Sequence, residues 1–151
     1  MDIVHRVGIK AKVEGAYAAL STIEGLAGWW TTDTSGRSEP GGRIRFRFHD
    51  GEGGELGGAD MEVRELARNE KVFWQVAEGP AEWVGTEIEF ALSQAGEYAI
   101  VLFEHRGWRE WSEFTSHCST KWATFLLSLR DFVETGKGRP NPDDLLIGDW
   151  H

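Results

Sequence analysis

Cysteine and long apolar runs are nearly absent from this chain. Cys118 is the single cysteine in 151 residues, so no disulfide can form within the chain, and a reducing compartment is expected. No apolar stretch approaches the roughly 18 residues of a membrane span, and no stretch resembles a signal peptide. We therefore expect a cytoplasmic protein without membrane insertion, and an unreactive, structural Cys118.

Basic residues are also scarce relative to acidic ones. The chain has 16 lysines and arginines against 25 aspartates and glutamates, which gives a formal net charge of −9. Nucleic acids and anionic membranes both attract basic surfaces. Neither is therefore an expected partner.

Sequence motifs for metal or phosphate binding are missing as well. The five histidines show no close ligand spacing, and no cysteine pair accompanies them. The glycines in the 51–58 stretch lack the lysine, serine and strand-to-helix context of a phosphate-binding loop. No nucleophile-elbow motif is present. We expect neither a metal nor a cofactor.

The strongest pattern that is present predicts a long amphipathic helix over 119–135. Its large apolar residues fall at i, i+3, i+4, i+7, i+10 and i+11, which places them on one face. They are Trp122, Phe125, Leu126, Leu129, Phe132 and Val133. Ser112 or Ser116 is the expected cap at its start, and Gly136 is the expected end. Such an aromatic face requires a broad apolar partner.

Alternating apolar residues predict strands in most of the remaining chain. The predicted strands are 3–13, 43–50, 59–66, 72–76, 86–93 and 98–105, with short helices at 14–20 and 22–30, a loop at 31–42 and a mobile glycine-rich turn at 51–58. Consecutive hairpin-linked strands form an antiparallel sheet with one apolar face. The order predicts a single α+β domain over 1–151, in which a curved antiparallel sheet wraps around the long C-terminal helix, a helix-grip fold.

Four stretches carry a resemblance to a known superfamily. They are LSTIEGLAGWWTTD, GGRIRFRF, VLFEHRGW and WATFLLSLRDFVETGKG, and together they span nearly the whole chain. In order and spacing they resemble the START-like (SRPBCC, polyketide-cyclase-like) superfamily, in particular proteins related to the activator of the heat-shock-protein-90 ATPase. The resemblance implies a cavity between sheet and helix that accepts an apolar or amphipathic molecule. It also implies that Val101, Phe103 and His105 point inward and Glu104 outward.

The predicted concave surface carries more aromatic side chains than are needed to fill a thin core between a sheet and a helix. This excess favours a cavity. A packed aromatic interior would satisfy the same residues, and this alternative stays open. The expected lining consists of Trp29, Trp30, Phe46, Phe48, Trp74, Phe90, Phe103, His105, Trp108, Trp122 and Phe125. Of the adjacent pair Trp29 and Trp30, either at least one touches a cavity that a ligand can enter, or both only anchor the short helix under the sheet, and both alternatives stay open.

Three functional hypotheses follow. The first is a non-enzymatic protein that binds a small hydrophobic, aromatic or lipid-like ligand. The second is a cyclase-, dehydratase- or hydrolase-like enzyme with His105 as acid/base, assisted by Glu104 or Tyr98, against the alternative of a buried structural histidine. The third is a chaperone-associated interaction domain, although the resemblance covers one domain only. A homodimer is compatible with each.

One strand carries three alternating arginines, at positions 43, 45 and 47. We expect them on a solvated sheet face, in cross-strand pairs with Glu87 and Glu89.

Overall fold

A computed structural model describes residues 2–151. The strands are β1 (Asp2–Ile9), β2 (Asp33–Gly36), β3 (Arg43–His49), β4 (Glu55–Ala67), β5 (Lys71–Glu78), β6 (Glu87–Ala95) and β7 (Tyr98–Arg106). The helices are α1 (Val13–Ser21), α2 (Ile23–Trp29) and α3 (Glu113–Thr135). Within the described residues the strands form one antiparallel sheet in the order β1-β7-β6-β5-β4-β3-β2.

The concave face of the sheet holds α3, as the apolar patterns predict. Trp122, Phe125 and Leu129 of α3 are 2%, 5% and 0% exposed. Alternate residues of each central strand face them, as in β6, where Ile88 and Phe90 are fully buried. The predicted helix-grip fold is confirmed.

The start of α3 differs from the prediction. The helix begins at Glu113 rather than Ser119. Ser112, one of the two expected caps, is confirmed as the N-cap, and it forms a capping box with Thr115, whose hydroxyl accepts a hydrogen bond from the Ser112 N–H at 3.0 Å. Most residues between Phe114 and Trp122 are small or polar, so the apolar stripe is less evident in this first part of the helix. The predicted end is confirmed, since Gly136 has a φ of 84°. Within residues 2–151 no helix is long and apolar enough to cross a membrane.

Two sheet segments lie where turns and loops are predicted. Strand β2 falls inside the predicted loop 31–42, and β4 starts at Glu55, inside the predicted turn 51–58. Both segments are largely exposed and pair through their backbones with β3, so they carry no apolar alternation. Six strands instead of about five therefore follow α2.

The expected arginine pairing is wrong. Asp60 of β4 is the acidic partner of Arg47 at 2.8 Å and of Arg43 at 4.0 Å. Glu87 and Glu89 instead bind Arg106 of β7, at 3.1 and 3.2 Å. The sheet order explains the difference, since β5 and β4 separate β6 from β3.

A glycine sets the close packing of α1 against α2. A Cβ atom at Gly25 would lie 2.6 Å from the Ala18 carbonyl oxygen and 2.7 Å from the Ala19 Cα. Only a residue without a side chain fits there. The two short helices therefore sit tightly beside the sheet, and Trp30 directly after α2 reaches the interior at 2% exposure.

Candidate functional site

A pocket of about 560 Å³ opens between the N-terminal half of α3 and one end of the sheet. Its walls come from α3, the β3–β4 turn, the β5–β6 loop and the C-terminal segment 141–151. Six aromatic side chains line it: Trp30, Phe48, Trp83, Phe114, Trp122 and Phe125. The volume is within the range of pockets that hold drug-sized ligands.

The indole of Trp122 lies at the centre of the aromatic lining. It stacks on Trp83 with ring centroids 5.9 Å apart and planes 13° apart, and it lies 4.9 Å from Trp30. Phe125, one turn further along α3, lies 6.4 Å from Phe48. Large, nearly rigid rings therefore form a preorganised apolar surface.

Four of the expected lining residues, Trp30, Phe48, Trp122 and Phe125, are at this pocket. The other seven, which do not line it, are Trp29, Phe46, Trp74, Phe90, Phe103, His105 and Trp108. They are buried against one another, and Trp74, for example, lies 5.3 Å from Phe90. The interior thus contains both of the alternatives left open by the sequence, a packed aromatic core and a pocket at one end.

The adjacent tryptophans at the end of α2 have different environments. Trp29 is fully buried, and its indole N–H donates to the Ala19 carbonyl at 2.9 Å. Trp30 packs on the ring of Phe46 at 4.3 Å and faces the pocket. Trp29 therefore anchors the helix, while Trp30 lines the pocket.

His105 on β7 is fully buried, and both of its ring nitrogens are hydrogen-bonded. The indole N–H of Trp122 donates to Nδ1 at 3.2 Å. Nε2 lies 2.8 Å from the Thr86 hydroxyl, which itself donates to the Trp83 carbonyl at 2.5 Å. Because an indole can only donate, Nδ1 is the acceptor and Nε2 carries the proton. Burial lowers the pKa of His105 to about 3, so the ring is neutral at physiological pH.

The inward orientation implied for the VLFEHRGW segment is confirmed. Val101, Phe103 and His105 are at most 1% exposed. Glu104 lies on the opposite face, where its carboxylate accepts from Arg106 at 2.9 Å. Tyr98 is 45% exposed, at the far end of β7. Neither Glu104 nor Tyr98 lines the pocket.

Several pocket residues are absent from the sequence-based set. Phe114 and Cys118 belong to the first part of α3, which the predicted start at Ser119 leaves out, and Lys121 lies off the predicted apolar stripe. Extending the apolar stripe backwards from Trp122 by four and eight residues would have reached Cys118 and Phe114. Trp83 lies in a loop, where no periodicity indicates its orientation.

Cys118 lies against the pocket wall at 5% exposure. Burial raises the pKa of its thiol to about 12. The buried indole N–H of Trp83 has no hydrogen-bond partner among residues 2–151. The thiol is thus a poor nucleophile in the folded protein.

Asn141 in the C-terminal segment is the most heavily bonded residue at the pocket. Its amide group exchanges two hydrogen bonds with the backbone of His49, accepting at 2.7 Å and donating at 3.0 Å. Its backbone N–H donates to the Trp30 carbonyl at 2.8 Å, and its carbonyl accepts the Thr32 N–H at 3.1 Å. At 4% exposure it fixes the segment to α2 and β3.

The charged lining is mainly acidic. Asp50, Asp143 and Asp144 line the pocket together with a single lysine, Lys121. The Lys121 ammonium donates to Asp144 at 2.6 Å and also lies 5.2 Å from the centre of the Phe125 ring. Among residues 2–151 no group of three or more side chains is arranged to hold a metal ion.

A curved antiparallel sheet that grips a long C-terminal helix, with an apolar pocket between them, defines the START-like (SRPBCC) class. Within it, the family model described as "Activator of Hsp90 ATPase homolog 1-like protein" matches residues 10–134. The chain belongs to this family. The comparison with curated proteins gave no match.

Solved structures share the fold. The Aha1 dimer from Colwellia psychrerythraea is 47% identical and has a TM-score of 0.81, with 91% of this chain and 99% of that chain covered. Protein SSP2350 from Staphylococcus saprophyticus is 17% identical, with a TM-score of 0.75 and 93% and 97% coverage. CalU16 from Micromonospora echinospora is also 17% identical, with a TM-score of 0.70 and 87% and 73% coverage.

Proposed function

We propose that this protein binds a small aromatic or otherwise apolar molecule in the pocket beside α3, without catalysing a reaction. The observation that carries the proposal is the aromatic lining of a cavity of about 560 Å³. Six rings facing one space offer far more apolar contact than polar contact. Burial of apolar ligand surface contributes roughly 25 cal/mol per Å² before ordering costs, so apolar contact would dominate the affinity.

The polar groups at the pocket favour a neutral or cationic guest. The lining has three aspartates, and its one lysine is already paired with Asp144. An anionic ligand would either face unpaired carboxylates or have to displace Asp144 from Lys121. The guest that fits this lining best is a planar aromatic molecule without negative charge.

An enzyme that uses His105 is less well supported. The ring is sealed from the pocket by Trp122, both of its nitrogens are engaged, and burial lowers its pKa to about 3. General acid/base catalysis works best with a group whose pKa lies near the working pH. Glu104 and Tyr98 lie away from the pocket and offer no second group.

Binding of N-phenyl-1-naphthylamine, a neutral probe that fluoresces in apolar surroundings, tests the proposal. Leu56 lines the pocket and is 42% exposed, so Leu56→Trp should fill the space without disturbing the core. We expect this substitution to weaken binding at least about tenfold, because the larger ring occupies the ligand volume. Leu127 is 45% exposed on α3 and does not line the pocket, so Leu127→Trp is the matched control.

Native mass spectrometry of protein purified from its source gives the complementary measurement. A co-purified small molecule that is lost from the Leu56→Trp variant would identify the natural ligand. The proposal fails if the wild type does not bind the probe, or if both leucine variants bind it as well as the wild type does.

A homodimer is a second part of the proposal, favoured by the 47% identical relative that is described as a dimer. The outer sheet face of this chain exposes Val4 by 60% and Leu102 by 52%, at diagonal positions on the paired strands β1 and β7. Light scattering after gel filtration measures the mass. If this face joins two copies, Leu102→Glu should give monomers, and Leu127→Glu should not.

An interaction with a heat-shock-protein-90 chaperone remains an alternative that rests on family membership alone. Stimulation of the chaperone's ATPase by the purified protein is the direct assay. A stimulation that the Leu56→Trp variant retains would separate this activity from the pocket.

A further inference from the structure

The C-terminal segment Asn141–His151, here called the strap, lies outside the region that defines the family. The family model ends at residue 134, yet strap residues form one wall of the pocket. Asn141, Asp144, Leu146 and His151 are among the lining residues. The helix-grip core alone would leave this side of the pocket open to solvent.

The two ends of the strap are held very differently. At its start, Asn141 is 4% exposed and is bonded to the backbones of Trp30, Thr32 and His49. Towards its end, Leu146 is 63% and Trp150 is 40% exposed. The Trp150 ring contacts that of His117 on α3, with centroids 5.3 Å apart. The strap thus has a firmly fixed beginning and a more exposed remainder.

A single ion pair connects the middle of the strap to α3. The Lys121 ammonium lies 2.6 Å from the Asp144 carboxylate and 2.6 Å from the Leu145 carbonyl oxygen. The side chains of Lys121 and Asp144 are only 14% and 8% exposed, so the pair is shielded from water. Beyond it, His117 lies 3.2 Å from the His151 carbonyl oxygen, a contact at the exposed surface.

We propose that the strap is the gate of the pocket, with Asn141 as its fixed pivot and the Lys121–Asp144 pair as its latch. When the latch opens, residues 144–151 swing away from α3 and the pocket is exposed; when it closes, a guest is retained. The statement that a ligand enters and leaves through this gate rests on the proposed function. The gate itself is a property of the fold and can be tested without any ligand.

Cys118 provides the ligand-free measurement, because it is the single cysteine and lies against the pocket wall. Its alkylation by iodoacetamide at pH 8 reports how often the pocket opens. Loss of a shielded ion pair weakens the latch, so we expect Asp144→Asn to react about tenfold faster than the wild type. Asp149→Asn is the matched control. Asp149 belongs to the strap but does not line the pocket, and its side chain forms no ion pair within residues 2–151, so the rate should stay within about twofold.

Reversal of the pair separates a latch from a general loss of stability. The double variant Lys121→Asp with Asp144→Lys restores opposite charges at the same positions, and its labelling rate should return towards that of the wild type. Rates at low urea concentrations identify any contribution from global unfolding. Equal labelling rates in wild type, Asp144→Asn and the reversed pair would overturn the gate.

Stopped-flow binding of N-phenyl-1-naphthylamine then links the gate to the pocket. Asp144→Asn should raise both the entry and the exit rate of the probe about tenfold and change the affinity little. If the probe binds, but Asp144→Asn changes neither its binding rates nor the rate of Cys118 labelling, the gate proposal is wrong and the proposed ligand binding is unaffected. If Asp144→Asn speeds labelling but no variant binds the probe, the gate stands and the proposed function fails.

Discussion

The indole N–H of Trp122 donates to Nδ1 of His105 at 3.2 Å and thereby joins α3 to β7. The centre of the Trp122 ring system lies 4.5 Å from that of Phe103 in the core and 5.9 Å from that of Trp83 at the pocket. The bond from Trp122 fixes the tautomer of the neutral histidine, with the proton on Nε2. His105 therefore supports the wall of the pocket and is not a group that faces a ligand.

Acid should destabilise the protein partly through His105. Burial lowers its pKa from 6.5 to about 3, so between these values the unfolded chain binds a proton that the folded chain does not. The contribution is complete above pH 6.5, and stability falls by up to about 1.4 kcal/mol for each pH unit below that value. Urea unfolding from pH 7.5 to pH 4 measures the slope.

A comparison of the wild type with the His105→Gln variant separates the contribution of His105 to the pH dependence of stability from the contribution of the carboxylates. The variant should be less stable by about 1–3 kcal/mol at pH 7.5, where it loses hydrogen bonds and packing. Its stability should then fall less steeply with acid than that of the wild type. Parallel curves for the two proteins would show that His105 has the same pKa in the folded and unfolded states, which would contradict its buried, neutral form.

The thiol of Cys118 should be nearly inert in the folded protein. Burial raises its pKa from 9.0 to about 12, and the thiolate is the reactive form. At pH 8 we expect iodoacetamide to label the native protein at least about 100-fold more slowly than the urea-unfolded chain. Mass spectrometry of quenched samples follows the reaction. Similar rates in both conditions would place the thiol in contact with solvent.

Much of the fold could be predicted because the spacing of apolar residues along the sequence indicates which side chains are buried. The stripe from Trp122 to Leu129 and the alternation Ile88, Phe90, Leu92 both match their buried faces. The pocket could be predicted only in part. The rim of the pocket is formed by loops and by the segment that Asn141 holds in place. Asn141 does so through hydrogen bonds to the backbone of segments distant in sequence. Such bonds leave no periodic pattern in the sequence.

Asn141 should contribute far more to stability than its exposed neighbour Asp143 in the strap. Asn141→Ala removes the partners of the His49 N–H and carbonyl groups, and leaving these part-buried backbone groups unpaired costs about 2–4 kcal/mol in total. Asp143→Ala, two residues away and exposed, should change stability by less than about 0.5 kcal/mol. Urea unfolding compares the two. Equal stabilities would mean that the strap is anchored elsewhere.

Two helical glycines should respond in opposite ways to alanine. Gly25→Ala places a methyl group 2.6 Å from the Ala18 carbonyl oxygen, so we expect destabilisation by about 1–3 kcal/mol despite the better helix propensity. At Gly15 the nearest atom would be a Val133 methyl at 3.5 Å, an ordinary contact. Gly15→Ala should therefore stabilise by up to about 1 kcal/mol. Thermal unfolding followed by circular dichroism measures the stability of both variants. If Gly25→Ala were stabilising, the close packing of α1 against α2 would be contradicted.

The charge of a ligand should affect its affinity strongly. N-phenyl-1-naphthylamine and its 8-sulfonate share the same rings and differ by one sulfonate group, so the salt dependence of the difference isolates the effect of the negative charge from that of the added volume. Asp50 at the pocket is firmly ionised, because the backbone N–H groups of Gly54 and Glu52 lower the pKa of its carboxyl. We expect the neutral probe to bind about five- to twentyfold more tightly at low salt, and the difference to shrink at high salt.

Asp50→Asn should narrow the difference between the two probes, and Lys121→Met should widen it. Fluorescence titrations at two ionic strengths measure all four affinities for each protein. The opposite order, with the sulfonate bound more tightly by the wild type, would mean that Lys121 leaves Asp144 to pair with the ligand. In that case an anionic group on the guest would open the latch, and the natural ligand should be sought among aromatic acids.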